Sequence, residues 1–108
     1  MTMASSTFFD CHAFEGKGLD KWRMPKLTNA ESMFRNCGNF NQDLGGWDVS
    51  LLESGDRMFF NCHSYEGKGL DKWKTPSLKN MSQMFTKCGG DGGRRAARHL
   101  GGPRHLRV

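Results

Sequence analysis

Apolar positions along this chain recur with one long period and two short ones. The phrases Phe8-Phe-Asp-Cys11, Met33-Phe-Arg-Asn-Cys37, Met58-Phe-Phe-Asn-Cys62 and Met84-Phe-Thr-Lys-Cys88 stand at steps of 26, 25 and 26 residues. Trp22, Trp47 and Trp73 follow the first three cysteines at near-constant distance. The columns Phe8/Phe34/Phe59/Phe85, Phe14/Phe40/Tyr65, Leu19/Leu44/Leu70 and Leu27/Leu52/Leu78 keep their chemistry from unit to unit. Self-similarity at a fixed period means one supersecondary unit stacked on copies of itself. Columns of like residues then read as inward ladders at roughly 5 Å spacing.

Within a unit the pattern changes. Trp22-x-Met24, Trp47-x-Val49 and Trp73-x-Thr75 alternate, which predicts a very short strand. Leu27, Ala30, Met33, Phe34 and Cys37 fall at helical spacing, as do Leu78, Met81, Met84, Phe85 and Cys88. Asn29, Ser54 and Asn80 sit where an N-cap belongs, and Asn80-Met-Ser-Gln83 approximates a capping box. Pro25 and Pro76 remove a donor and end the strand. Gly16/Gly18, Gly45/Gly46 and Gly67/Gly69 mark turns. The expected fold is an α/β solenoid, leucine-rich-repeat-like, of about three coils of short strand plus short helix. Its units run about 11–36, 37–61 and 62–87 within a domain of residues 1–88. The first phrase opens inside a repeat, which suggests a piece of a longer array.

Taken together, Met33-Phe-Arg-Asn-Cys-Gly-Asn-Phe-Asn-Gln-Asp-Leu-Gly-Gly-Trp-Asp-Val-Ser50 and Leu78-Lys-Asn-Met-Ser-Gln-Met-Phe85 resemble the BspA-like leucine-rich-repeat surface proteins. That family includes mycoplasma-type and listerial lipoprotein repeats of the same length. The resemblance covers about residues 3–88. It implies a solenoid and a surface-exposed interaction role.

Charge changes the picture only at the C-terminus. The chain carries +5 overall. Residues 1–88 hold 11 Lys+Arg against 10 Asp+Glu, whereas residues 89–108 hold five arginines against Asp91. This Gly/Arg-rich tail breaks every column and is expected to be disordered. Arg94, Arg95, Arg98, Arg104 and Arg107 form a candidate polyanion arm, for RNA, DNA or anionic lipid. An inert extension is the blander reading, because Gly, Arg, Ala and Pro are the residues of GC-rich codons. Nucleic acid is accordingly an unfavoured partner. No run approaches the roughly 20 apolar residues of a membrane helix, and no secretion signal is visible at the N-terminus.

Candidate chemistry is sparse. Cysteines 25 or 26 residues apart match no zinc spacing. A reduced structural ladder is favoured over a disulfide, and a metal site is least favoured. His12 and His63 read as exposed turn residues. Gly16-Lys-Gly18 and Gly67-Lys-Gly69 lack the spacing of a phosphate loop and read as turns with solvated lysines. No catalytic constellation stands on repeat-unique positions, so no enzyme, cofactor or metal is implied. The residues flanking each tryptophan, Lys21, Arg23, Asp48, Lys72 and Lys74, form a candidate interaction strip on the expected concave face. Charge alternation along that strip is the simpler explanation of it. The expected function is a non-enzymatic module for protein or surface interaction, with self-association through uncapped ends as a further possibility.

Overall fold

The computed structural model describes residues 5–22, 26–89, 95, 98 and 99. The expected strand-plus-helix unit does not form. Among the described residues the delineated elements are two 3-10 helices, Leu19–Lys21 and Leu70–Lys72. Three residues, Asn29, Ser54 and Asn80, make isolated parallel bridges, and no sheet is found among the described residues. The α/β solenoid and its leucine-rich-repeat coils are therefore corrected to a compact body built almost wholly from turns. Its Cα radius of gyration is 12.0 Å, against about 13 Å expected for a domain of this length.

The reason lies in the segment expected to be helical. Ser32 and Asn36 have φ of 55° and 66°, the left-handed region, which interrupts any α-helix. Ser6/Asp10, Arg57/Asn61 and Gln83/Lys87 repeat the same pair of conformations. Each segment is thus a chain of tight turns. The N–H of Met33 donates to Ala30, that of Arg35 to Ser32 and that of Cys37 to Phe34. The intervening N–H groups point to the next repeat. Those of Ala30, Ser32, Phe34 and Asn36 donate to the carbonyls of Ser54, Asp56, Met58 and Phe60 at 2.8–2.9 Å. Ser6, Phe8 and Asp10 reach Glu31, Met33 and Arg35 in the same way, and Gly55, Arg57, Phe59 and Asn61 reach Asn80, Ser82, Met84 and Thr86. A helix uses every N–H internally; here alternate donors are taken by the neighbouring repeat.

The helical caps are corrected with the helix. Asn29 Oδ1 accepts from the Glu31 N–H at 2.9 Å and from the Ser5 hydroxyl at 2.8 Å, a local turn of the asparagine type. Ser54 is buried and its hydroxyl donates to Glu31 at 2.7 Å. The expected strands also fail to pair, although Trp47 and Val49 are buried and Asp48 is exposed, as alternation requires. Met24 and Pro25 lie outside the described residues.

The core is the set of repeated columns. Phe34, Phe59, Cys37, Cys62, Phe40, Tyr65, Leu44, Leu70, Leu27 and Leu52 are buried or nearly so. The rings of Phe8, Phe34, Phe59 and Phe85 lie nearly parallel, with centroids 5.5, 5.5 and 5.6 Å apart. That spacing is within the favourable range for aromatic pairs. The first repeat departs from the columns: Trp22 is 40% exposed, Cys11 is exposed and Phe8 is half-buried.

Candidate functional site

Two side chains that recur in every unit do polar work inside the core. The indole N–H of Trp47 donates to the Leu19 carbonyl at 2.7 Å, and that of Trp73 to the Leu44 carbonyl at 2.8 Å. The thiols of Cys37, Cys62 and Cys88 donate to the carbonyls of Phe8, Phe34 and Phe59 at 2.9, 2.8 and 3.1 Å. Each repeat is therefore fastened to the preceding one by one indole and one thiol. Sequence columns showed that these residues recur but not that they donate, because hydrogen-bond direction has no signature in periodicity.

All four cysteines are free thiols, and only Cys11 is exposed. Burial pushes the Cys37 thiol up to about 11 and the Cys88 thiol up to about 12. Cys62 is driven up further by the same desolvation. Protonated, buried thiols are poor nucleophiles. No group of His, Cys, Asp and Glu able to hold a metal ion occurs among the described residues.

The candidate strip is displayed rather than enclosed. Lys21 and Lys72 end the two 3-10 helices, and Lys21, Asp48, Lys72 and Lys74 are all exposed beside their tryptophans. Arg23 lies outside the described residues. Asp48 accepts from the Ser50 N–H at 3.0 Å and from its hydroxyl at 2.7 Å, and these bonds hold its carboxyl below the usual range. The Gly-Lys-Gly turns carry positive φ at Gly16, Gly18, Gly67 and Gly69. Lys17 and Lys68 pair loosely with Glu15 and Glu66, at 3.3 and 4.0 Å, in solvent. His12 and His63 are exposed.

Of the tail arginines, Arg95 and Arg98 are described. Both are exposed with helical backbone, as is His99. Arg94, Arg104 and Arg107 lie outside the described residues. His99 Nε2 is 3.0 Å from the Trp73 carbonyl. Arg95 and His99 border a cleft of about 390 Å3 with Glu66, Gly67, Lys68, Gly69 and Asp71. The cleft thus gathers the charged residues Arg95, Lys68, Glu66 and Asp71 along its lining.

A second surface feature was not expected. The Arg35 guanidinium lies 5.4 Å from the Phe9 ring centroid and 5.1 Å from that of Phe60, between two rings of its own column. Lys87 adds a contact with Phe60 at 6.0 Å. The signal was available in the residue that follows the phenylalanine of each Met-Phe phrase.

The family described as "Mycoplasma protein of unknown function, DUF285" matches residues 2–90. The chain belongs to this family. The match spans all four Met-Phe-type phrases and agrees with the mycoplasma-type part of the resemblance. No curated protein and no solved structure matches the chain. Among the described residues no helix is long and apolar enough to cross a membrane.

Proposed function

We propose that this DUF285 member is a non-enzymatic repeat module that presents a charged row to an acidic protein or cell-surface partner. The observation that carries this reading is the placement of Lys21, Lys72 and Lys74. Lys21 and Lys72 stand exposed at equivalent points just before their tryptophans and Lys74 just after Trp73, on a frame whose apolar positions make the contacts between repeats. Asp48, exposed just after Trp47, places one carboxylate among these cations. The likeness to BspA-like surface proteins supports the same role. The reading predicts that a fluorescent polyglutamate peptide binds the chain in low salt. The triple variant Lys21→Glu, Lys72→Glu, Lys74→Glu should lose that binding while keeping the wild-type circular dichroism. Binding that survives in the folded triple variant would reject the reading. Loss of binding on Arg95→Glu, Arg98→Glu instead would favour the polyanion arm.

A further inference from the structure

The two positions after each phenylalanine of the stacked ladder form a surface of their own. Phe9, Arg35, Phe60 and Thr86 occupy the first, and Asp10, Asn36, Asn61 and Lys87 the second. The Arg35 guanidinium is held between Phe9 and Phe60, and the Lys87 ammonium shares the ring of Phe60 with it, at 6.0 Å against 5.1 Å from the centroid. Arg35 has no ion pair and no hydrogen-bond acceptor among the described residues. Its Nε is shut off from solvent without a partner, so the pair of η nitrogens is the fork left open. Rings on both sides restrict the swing of the guanidinium, and a fork so fixed matches the two oxygens of one carboxylate. Asp10 is the only carboxylate of these columns, and it already accepts from Asn36 at 2.6 Å. The surface thus holds two cations with no carboxylate of its own assigned to them.

We propose that Arg35 and Lys87, set on the shared ring of Phe60, bind an acidic glycan, a sugar chain that bears uronate carboxylates. The η nitrogens of Arg35 donate to both oxygens of one carboxylate, and Lys87 takes a second carboxylate along the chain. Asn61 and Thr86, each half-buried in the same columns, supply an amide and a hydroxyl for the sugar hydroxyls. A peptide fits this surface less well. Extended peptides are held by main-chain hydrogen bonds, yet the N–H groups of Phe34, Arg35, Asn36, Phe59, Phe60 and Asn61 are all engaged within the array. Single-stranded nucleic acid stacks its bases on open ring faces, whereas the ring of Phe60 already carries both cations. A uronate chain needs neither, because its carboxylates and hydroxyls are met by side chains. Lys21, Lys72 and Lys74 take no part, so this site is independent of the lysine row.

Titration calorimetry of the full 108-residue chain with oligogalacturonate in low salt tests the proposal. The wild type should bind the oligomer and should lose it when the carboxylates are methyl-esterified. Arg35→Lys keeps the charge but removes the fork, and should weaken binding by about tenfold, the worth of one charge-assisted hydrogen bond. Lys87→Gln alters an exposed residue outside the core, and should weaken binding by about threefold, as for an exposed ion pair. Lys21→Gln, Lys72→Gln, Lys74→Gln should stay within about twofold of wild type, the residual of screened distant charge. The proposal is overturned by a wild type that does not bind, by equal binding of the methyl ester, or by binding unchanged in Lys87→Gln or in folded Arg35→Lys. Loss confined to the lysine-row variant overturns it as well. Polyglutamate that binds as tightly, with the same dependence on Arg35, overturns the glycan and makes the partner an acidic protein. None of these failures touches the lysine row, whose own test is the loss of polyglutamate binding when Lys21, Lys72 and Lys74 are reversed in charge.

Discussion

At the scale of single residues, tryptophan and cysteine recur because each supplies a donor to a buried carbonyl of the preceding repeat. Each of those carbonyls also accepts a backbone N–H of its own turn, so removing one donor costs the net worth of a single hydrogen bond, about 0.5–1.5 kcal/mol. Trp73→Phe should therefore lower stability by about that amount in urea denaturation. Trp22→Phe, whose indole is 40% exposed and packs on Phe8 but has no acceptor for its N–H among the described residues, should stay within about 0.5 kcal/mol of wild type. Equal losses at both positions would refute the donor role. The thiols give a pH test. Cys37 and Cys88 have folded values raised to about 11 and about 12, so the folded state keeps protons that the unfolded chain releases. Stability from these groups is full below the ordinary thiol value and falls as pH rises through the folded values. Denaturation midpoints should decline above about pH 9, the window these thiols open. In Cys37→Ala, Cys88→Ala the decline should be shallower. Native alkylation should mark Cys11 first, since it alone is exposed.

At the scale of the element, the working unit is a run of turns whose left-handed positions recur in register. A non-glycine residue there costs roughly 1–2 kcal/mol, and asparagine is among the residues that tolerate it best. Asn36 and Asn61 add a side-chain ladder: Asn61 Nδ2 donates to Asn36 at 3.0 Å, and Asn36 Nδ2 donates to Asp10 at 2.6 Å. Asn61→Ala loses both the tolerance and the bond, and should destabilise by about 1–2 kcal/mol. Asn61→Gly, which relieves the backbone, should recover part of that loss in the same denaturation assay. Gly16 shows the opposite requirement. Its φ is +86° and a Cβ would fall against the Phe40 ring, so Gly16→Ala should lower the melting temperature. Here the limits of the sequence are plain. The columns Phe34/Phe59, Cys37/Cys62 and Leu27/Leu52 were legible as core because burial repeats with the period. The helix was not, because spacing of Leu27, Ala30, Met33, Phe34 and Cys37 reports which residues face inward and not how the backbone gets there. Left-handed serine, arginine, glutamine and lysine at positions 32, 57, 83 and 87 carry no compositional warning. The exposure of Lys21, Asp48, Lys72 and Lys74 was legible, whereas the Arg35 sandwich between Phe9 and Phe60 emerges only when adjacent repeats are superposed.

At the scale of the molecule, backbone hydrogen bonds and stacked rings join each repeat to its neighbour. A lesion in a middle repeat touches two interfaces and one in the first repeat touches one. Phe59→Ala, fully buried between Phe34 and Phe85, should cost about 3–5 kcal/mol and unfold the whole array. Phe8→Ala should cost visibly less and leave the later repeats folded. Equal and complete unfolding from both would mean that the repeats do not act as nearest neighbours. The central claim is that alternate backbone donors leave their own turn and bind the next repeat. Couplings across hydrogen bonds, read by NMR between amide nitrogen and carbonyl carbon, test it most directly. The expected couplings join Phe34 to Met58, Asn36 to Phe60, Phe59 to Met84 and Asn61 to Thr86. Couplings that instead join Phe34 to Ala30 and Phe59 to Gly55, four residues back in the chain, would contradict it.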